Sequence, residues 1–185
     1  MFGFLKKKKV PQTFVLGAMA KGKAVPLSEV NDPTFSEGML GEGVAVIPEE
    51  GKFYAPCDGE IGMVFDTLHA VSLTSDFGAE VLIHVGLDTV KMNGDGFTGH
   101  VQAGDKVKKG DLLLEVDLEK VKAAGYDTIT PMLICNTDEY ESVKGLSGKD
   151  VVPGDDILAI MPKEKKQTKE RSSKEIMYFN RQCVG

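Results

Sequence analysis

Glycine-rich turns are the feature that most restricts the folds open to this chain. The sequence holds 21 glycines among 185 residues, and they recur between short runs in which apolar and polar residues alternate. Such runs, bounded by Gly, Asn, Asp and Pro, are typical of β-strands. A convincing helical pattern occurs only over residues 117–124, where Gly125 follows at the usual stop position. We therefore expect an all-β fold of many short strands with one or two short helical turns.

The composition excludes several functional classes. Hydrophobic residues make up 42% of the chain, which is enough for one substantial core. The net charge of −6 argues against nucleic acid as a partner, and no apolar run approaches the roughly 18 residues that span a membrane. The three cysteines, Cys57, Cys135 and Cys183, are odd in number and lack metal-type spacing, which argues against a disulfide framework. Free thiols without a signal peptide predict a cytoplasmic location.

Shifts in composition divide the chain into three parts. Residues 1–11 combine large apolar side chains with four lysines, a pattern that fits a solubilising arm or a peripheral contact with an anionic membrane surface. Residues 12–162 carry the strand-like runs and form the expected domain. Residues 163–185 are too polar to offset the entropy of ordering, so we expect a charged, disordered tail.

Two prolines lead to local expectations. Pro33 lies in an Asn-Asp-Pro-Thr-Phe segment that predicts a turn between strands. Pro131 interrupts the strand-like run 128–135. Because proline cannot donate to a sheet ladder, this run is expected at a sheet edge or in a bulge.

Two of the three histidines lie in neighbouring apolar runs separated by a turn signal at residues 75–78. If Asp76 and Phe77 form a two-residue hairpin loop, His69 falls directly opposite His84, with Cβ atoms about 4.5–5.5 Å apart. A register shift of one residue would move one histidine to the other face. The two-residue period of a strand adds further members to the same face, namely Phe65, Thr67, Val71, Leu73, Leu82, Gly86 and Asp88.

Phosphoryl transfer through a histidine suits this patch. A neutral imidazole, with an ordinary pKa of about 6.5, offers one ring nitrogen as a nucleophile near pH 7. The reaction otherwise asks the protein for positioning and charge stabilisation, which a second histidine supplies by donating to the phosphoryl oxygens. Thr67, two residues before His69, is placed to select the tautomer of that ring.

Three other interpretations of the patch remain open from the residues alone. His69, His84 and Asp88 would give zinc three ligands and one open position. Acid–base hydrolysis is a weaker hypothesis, because no Ser or Cys lies in a typical nucleophile context. The histidines would otherwise form a cross-strand pair without a chemical role.

The sequence H-V-G-L-D-T-V at 84–90, with T-L-H at 67–69, closely resembles the glucose-class IIA domain (EIIA) of the bacterial phosphoenolpyruvate:sugar phosphotransferase system. Further motifs follow in the family's order: A-P-C-D-G-E-I-G at 55–62, N-G-D-G-F at 93–97, G-D-x-V-x-x-G-D-x-L at 104–113 and T-I-T-P-M-L-I-C-N at 128–136. The resemblance covers about residues 13–160. It implies an antiparallel β-sandwich or barrel-sandwich hybrid that relays phosphoryl groups. Some members of the family are fused to IIB and IIC domains, but no membrane helices and no IIB cysteine motif follow here, so we expect a free-standing domain.

The resemblance also implies the roles of individual residues. His84 would accept the phosphoryl group from the phosphocarrier protein HPr and pass it to a cysteine of a IIB domain, for coupled sugar uptake and phosphorylation. His69 would stabilise the phosphoryl group and Thr67 would orient His69. The residues expected to contact partner proteins are Asp88, Asp32, Phe35, Phe65, Val71, Leu82 and Gly86.

No cofactor is required for such a relay. An alternative function is a phosphorylation-dependent regulatory binding module for transporters or metabolic enzymes. That alternative would use a zinc ion shared at His69 and His84.

Overall fold

The computed structural model describes residues 12–164. The predicted arm at 1–11 and almost all of the predicted tail lie outside these residues, so the division into three parts stays a prediction. The expected all-β fold is confirmed. Within the described residues the strands are β1 (Phe14–Gly17), β2 (Gly22–Val25), β3 (Glu42–Pro48), β4 (Lys52–Tyr54), β5 (Gly59–Val64), β6 (Ala70–Ser75), β7 (Glu80–His84), β8 (Phe97–Gly99), β9 (Lys106–Val107), β10 (Leu112–Val116), β11 (Thr130–Ile134), β12 (Tyr140–Gly145), β13 (Lys149–Val151) and β14 (Asp156–Pro162).

The strands form three antiparallel sheets. An eight-stranded sheet has the order β13-β2-β3-β11-β7-β6-β5-β9, and two three-stranded sheets have the orders β1-β14-β12 and β4-β10-β8. All three sheets contribute to one buried cluster that includes Phe53, Ile83, Leu113 and Leu158. The alternation of apolar and polar residues along the strands follows from this arrangement, because a strand turns successive side chains to opposite faces.

A second, smaller cluster covers the other face of the large sheet. It consists of Val25, Val30, Phe35, Ala45, Leu87, Ile129 and Leu133, and we call it the outer cluster. Alternation within β11 illustrates the division, since Met132 lies in the main core and Leu133 in the outer cluster.

The segment predicted as a turn at Pro33 instead forms a short helix, α1 (Pro33–Ser36). Asp32 caps it by accepting a hydrogen bond from the Thr34 amide at 3.0 Å, and Pro33 occupies the first turn, where a missing N–H costs nothing. The helix places Phe35 in the outer cluster with 5% of its surface exposed. Burial of a phenylalanine contributes roughly 1.5–3 kcal/mol, which explains why this turn of helix persists.

Strand β11 corrects the expectation for Pro131. The strand is fully buried and lies between β3 and β7, away from any sheet edge. Its pairing with β7 begins only at Met132, opposite Ile83. Pro131 therefore stands where the ladder to β7 has already ended, so a central strand tolerates it.

The predicted helix is confirmed as α2 (Leu118–Ala123), capped by the Asp117 carboxylate and followed by Gly125 at φ 87°. Short 3-10 helices occur at Leu27–Glu29, Thr89–Met92 and Thr137–Glu139. Among residues 12–164, no helix has the length and apolar character needed to cross a membrane.

Candidate functional site

The β6–β7 hairpin has a three-residue loop, so the two-residue loop assumed from the sequence is wrong. Gly78, at φ 96°, takes the left-handed conformation that lets a third residue enter the loop. The Ser75 amide donates to the Ala79 carbonyl at 2.9 Å, and the Ser75 hydroxyl accepts from the Ala79 amide at 2.8 Å. As a result Ala70, and not His69, is opposite His84.

This one-residue shift redistributes the side chains between the two faces. Val71 and Leu73 point into the main core and are at most 1% exposed. Val71 was expected in a docking rim, and its complete burial excludes it from any surface patch. Leu82 and His84 point to the other face, where Leu82 packs against the outer cluster.

His69 and His84 nevertheless meet. The Val85 amide donates to the His69 carbonyl at 2.7 Å, which extends the ladder one step past the end of β6. Immediately before His69, Leu68 has a φ of 57°, so regular strand alternation stops there. The two imidazole rings contact edge to face, with centroids 4.9 Å apart. The expected contact is confirmed, although the register that suggested it is wrong.

Two phenylalanines flank the imidazole pair. The ring of Phe65 lies 5.3 Å from that of His69, and the ring of Phe35 lies 4.9 Å from that of His84. Phe65 is 36% exposed, whereas Phe35 is almost completely buried. Of the two, Phe65 therefore presents more of its ring to solvent, and Phe35 supports His84 from the outer cluster.

The tautomer of His84 follows from one hydrogen bond. Its Nδ1 lies 2.7 Å from the Gly86 carbonyl oxygen. A carbonyl can only accept, so Nδ1 carries the hydrogen and Nε2 keeps a free lone pair in the neutral ring. His84 thus holds a potential nucleophile at Nε2.

The Thr67 hydroxyl is hydrogen-bonded to Nδ1 of His69, as the sequence spacing predicted. A hydroxyl either donates or accepts. When it donates, the hydrogen of the neutral ring resides on Nε2, and His69 can then donate a hydrogen bond toward a group bound at His84.

Both rings are neutral near pH 7. Burial, and to a smaller extent the nearby His84, lowers the pKa of His69 from 6.5 to about 4. Burial also lowers the pKa of His84, against the opposing effects of the Gly86 hydrogen bond and of the carboxylates of Asp32 and Asp88. A neutral His84 is the form that can act as a nucleophile.

The expected carboxylates lie close enough to His84 to affect its charge, and they sit on separate elements. Asp32 is half-buried at the start of α1, and Asp88 is exposed after β7. Asp88 has a φ of 60°, and with Leu68 it is one of three non-glycine residues with positive φ between residues 12 and 164. Both of these residues adjoin the histidine segments, and strained backbone of this kind is common at functional sites.

The backbone conformation and the close packing at position 86 require a glycine. It adopts φ 75°, and a Cβ atom added there would lie 2.6 Å from Thr89 Cγ2 and 2.7 Å from the Asp127 carbonyl oxygen. Gly86 was expected on the patch from the strand period, whereas Leu68, Thr89 and Asp127 were not expected near the site. The motif G-L-D-T was a signal for Thr89, whereas nothing local in the sequence indicated the other two.

A three-ligand metal site with Asp88 is not formed. Within the described part of the chain, no group of three or more His, Cys, Asp or Glu side chains is arranged to hold a metal ion. The two Nδ1 atoms are already hydrogen-bonded, to Thr67 and to Gly86. The histidines alone would offer a zinc ion two Nε2 atoms.

Comparisons with known proteins identify the family of this chain. The family model of the phosphoenolpyruvate-dependent sugar phosphotransferase system, EIIA 1, matches residues 14–140. The glucose-specific EIIA component of Halalkalibacterium halodurans is 46% identical over 162 residues, covering 85% of this chain and 94% of the relative. The corresponding component of Oceanobacillus iheyensis is 42% identical over 152 residues, covering 82% and 92%.

Longer proteins also match. The β-glucoside-specific EIIBCA component of Bacillus subtilis is 47% identical over 146 residues, which are 79% of this chain and only 24% of the relative. Among solved structures, glucose permease IIA from Mycoplasma capricolum has a TM-score of 0.73 and 34% identity, covering 80% of this chain and 96% of that one.

Proposed function

The chain belongs to the EIIA 1 family of the phosphoenolpyruvate-dependent sugar phosphotransferase system and is a phosphocarrier of that system; we propose that it carries the phosphoryl group on Nε2 of His84. The observation that carries this assignment is the 2.7 Å hydrogen bond from His84 Nδ1 to the Gly86 carbonyl. This bond holds the ring in the tautomer whose Nε2 lone pair is free. The lowered pKa keeps that lone pair available near pH 7.

The transfer has two balanced steps. In the first, His84 Nε2 attacks the phosphorus of phospho-HPr, so that a new N–P bond forms as the N–P bond of the donor histidine breaks. In the second, the thiolate of a IIB cysteine attacks the same phosphorus, an S–P bond forms, and His84 leaves with its lone pair restored. Neither step needs a cofactor, because phosphoryl transfer depends mainly on positioning and charge stabilisation.

His69 stabilises the phosphoryl group. Its ring contacts that of His84, and donation from Thr67 to Nδ1 leaves a hydrogen on Nε2 that can bond to a phosphoryl oxygen. The pKa of about 4 keeps this ring neutral throughout the physiological range. Across that range, the neutral ring with its hydrogen on Nε2 can donate to a phosphoryl oxygen.

Partner proteins dock around the histidine pair. Asp32 and Asp88 offer negative charge to basic residues of HPr or of the IIB domain, and Phe65 supplies exposed aromatic surface. Leu82 and Phe35 support the patch from the outer cluster. The EIIBCA relatives combine A and B components in one protein, which supports a IIB domain as the acceptor.

The test is phosphorylation with phosphoenolpyruvate, enzyme I and HPr, with His100→Gln as the matched control. His100 is the remaining histidine and pairs with Glu115 on the surface. We expect acid-labile label on the wild type and on His100→Gln, and none on His84→Ala. His69→Gln should take up label but fail to pass it to a IIB domain. Full labelling of His84→Ala would overturn the assignment.

A further inference from the structure

The orientation of the Gly86 carbonyl, which accepts the hydrogen bond from His84, is fixed by a second hydrogen bond on the other side of the same peptide unit. The peptide unit between Gly86 and Leu87 carries both the carbonyl that accepts from His84 Nδ1 and an amide that donates to the Asp127 carbonyl at 3.0 Å. A trans peptide is planar, so its C=O and N–H groups point in opposite directions. The bond to Asp127 therefore aims the Gly86 carbonyl at the imidazole.

The preceding peptide unit is fixed by Thr89. Its hydroxyl donates to the Val85 carbonyl, and its methyl group lies 2.6 Å from the position that a Cβ of Gly86 would occupy. Thr89 is completely buried, so solvent does not compete for this bond. With both flanking peptide planes held, Gly86 has little freedom to leave its φ of 75°.

Asp127 is anchored in turn. Its carboxylate accepts a hydrogen bond from the Ile129 amide at 2.9 Å, a local turn typical of aspartate. Ile129 belongs to the outer cluster together with Leu87 and Phe35. The segment between α2 and β11 is thus tied to the same packing that supports His84.

We propose that Thr89 and Asp127 are positioning residues that set the tautomer and the orientation of His84 through Gly86. The proposal rests on the function of His84 proposed above. If either support is lost, the Gly86 carbonyl can turn away and His84 Nδ1–H loses its acceptor. The tautomer with hydrogen on Nε2 then becomes populated, and in that tautomer Nε2 has no lone pair with which to attack phosphorus.

The experiment compares Thr89→Val with Thr89→Ser in the full chain. Valine keeps the shape and removes the hydroxyl, whereas serine keeps the hydroxyl. The readouts are the ¹⁵N chemical shifts of the His84 ring, which report the tautomer, and the rate of phosphoryl uptake from phospho-HPr. We expect Thr89→Val to populate the other tautomer and to lower the rate by about tenfold, the effect of one lost hydrogen bond. Thr89→Ser should retain the wild-type tautomer.

Thr137→Val is the matched control. The Thr137 hydroxyl also donates to a backbone carbonyl, that of Ile134. Ile134 pairs with Val81, toward the end of β7 that is far from His84. This variant should lose stability without changing the tautomer or the rate relative to the wild type.

A second arm uses Asp127, whose side chain is exposed. Asp127→Asn keeps an oxygen for the Ile129 amide, and Asp127→Ala does not. Only the alanine variant should shift the tautomer, which separates positioning from the loss of a negative charge. This arm decides the question if Thr89→Val fails to fold.

The inference is overturned if Thr89→Val or Asp127→Ala keeps the wild-type ring shifts, whatever happens to the rate. A fall in rate with unchanged shifts would assign these residues a purely structural role. Failure of the proposed function is recognised separately, because it appears as labelling of His84→Ala.

Discussion

At the scale of single residues, the site depends on which ring nitrogen carries a hydrogen. His69 and His84 are chemically identical side chains, but their Nδ1 atoms have different hydrogen-bond partners. Nδ1 of His69 is bonded to the Thr67 hydroxyl, and Nδ1 of His84 is bonded to the Gly86 carbonyl. A carbonyl can only accept, so Nδ1 of His84 must carry the hydrogen. The Thr67 hydroxyl can rotate to donate or to accept, so Nδ1 of His69 can be either an acceptor or a donor. This difference suits one ring to carry a phosphoryl group and the other to stabilise it.

The burial of His69 predicts a pH-dependent stability. Its folded pKa of about 4 lies below the ordinary 6.5, so between these values the unfolded chain binds more protons. The contribution of neutral His69 to the free energy of unfolding should therefore be fully present above about pH 6.5. It should be lost progressively as the pH falls toward 4. Urea unfolding of the wild type and of His69→Gln measures this, and the difference between the two should shrink as the pH falls. Parallel pH profiles would contradict the prediction.

Gly86→Ala tests how crowding constrains the site. Alanine at φ 75° is strained and its Cβ meets Thr89 and Asp127, so we expect a loss on the order of 3 kcal/mol in unfolding free energy and a slower phosphoryl uptake.

Gly104→Ala is the matched control for Gly86→Ala. Gly104 has φ 92° but nothing within 4 Å of an added Cβ, so only the backbone penalty of about 1 kcal/mol remains. Equal losses for the two variants in denaturant unfolding would show that crowding at Gly86 is unimportant.

At the scale of elements, the hairpin and α1 bring the site together. The three-residue loop of the β6–β7 hairpin turns His84 to the face of the sheet that carries the outer cluster. Helix α1 lies on that face and brings Phe35 to the ring of His84. The carboxylate that begins this helix, Asp32, therefore serves both the cap and the electrostatics of the site.

Variants of Asp32 separate these two contributions. Asp32→Asn keeps a side-chain oxygen for the Thr34 amide and removes the charge, so stability should hold while phosphoryl exchange with a basic partner slows. Asp32→Ala loses the cap as well and should cost about 1 kcal/mol in unfolding free energy. Thermal unfolding and exchange rates with HPr measure the pair. If Asp32→Asn exchanges at the wild-type rate, this carboxylate does not attract the partner.

At the scale of the whole molecule, the residues of the site all come from one domain. Its contacts extend from Asp32 to Ile129 along the chain, and strand β14 ends at Pro162. The main core joins all three sheets within these bounds. The described residues of the site lie between residues 12 and 162, and these domain boundaries stay a prediction.

Removal of the predicted arm and tail tests this boundary. A chain of residues 12–164 should keep the melting temperature of the full chain and its rate of phosphoryl uptake from phospho-HPr. Any role of residues 1–11 at a membrane would then appear only as a change in binding to anionic vesicles. A truncated chain that folds but accepts no phosphoryl group would contradict the proposed domain limits.

Much of this organisation follows from local sequence patterns. Alternating apolar residues predicted the strands because each strand has a buried face, and Gly125 predicted the end of α2 because it accepts a left-handed conformation. The motif around His84 predicted the family. These features depend on residues close together in the chain, so the sequence alone determined them.

Only the tertiary structure decided which face each histidine takes. The hairpin register depends on whether Gly78 or Phe77 ends the loop, and a shift of one residue exchanges the two faces. The contact between the two rings depends on the left-handed backbone of Leu68. The orientation of the His84 ring depends on Asp127, which is 43 positions after His84 in the chain. Such choices are made by packing between distant segments, and no local periodicity carries that information.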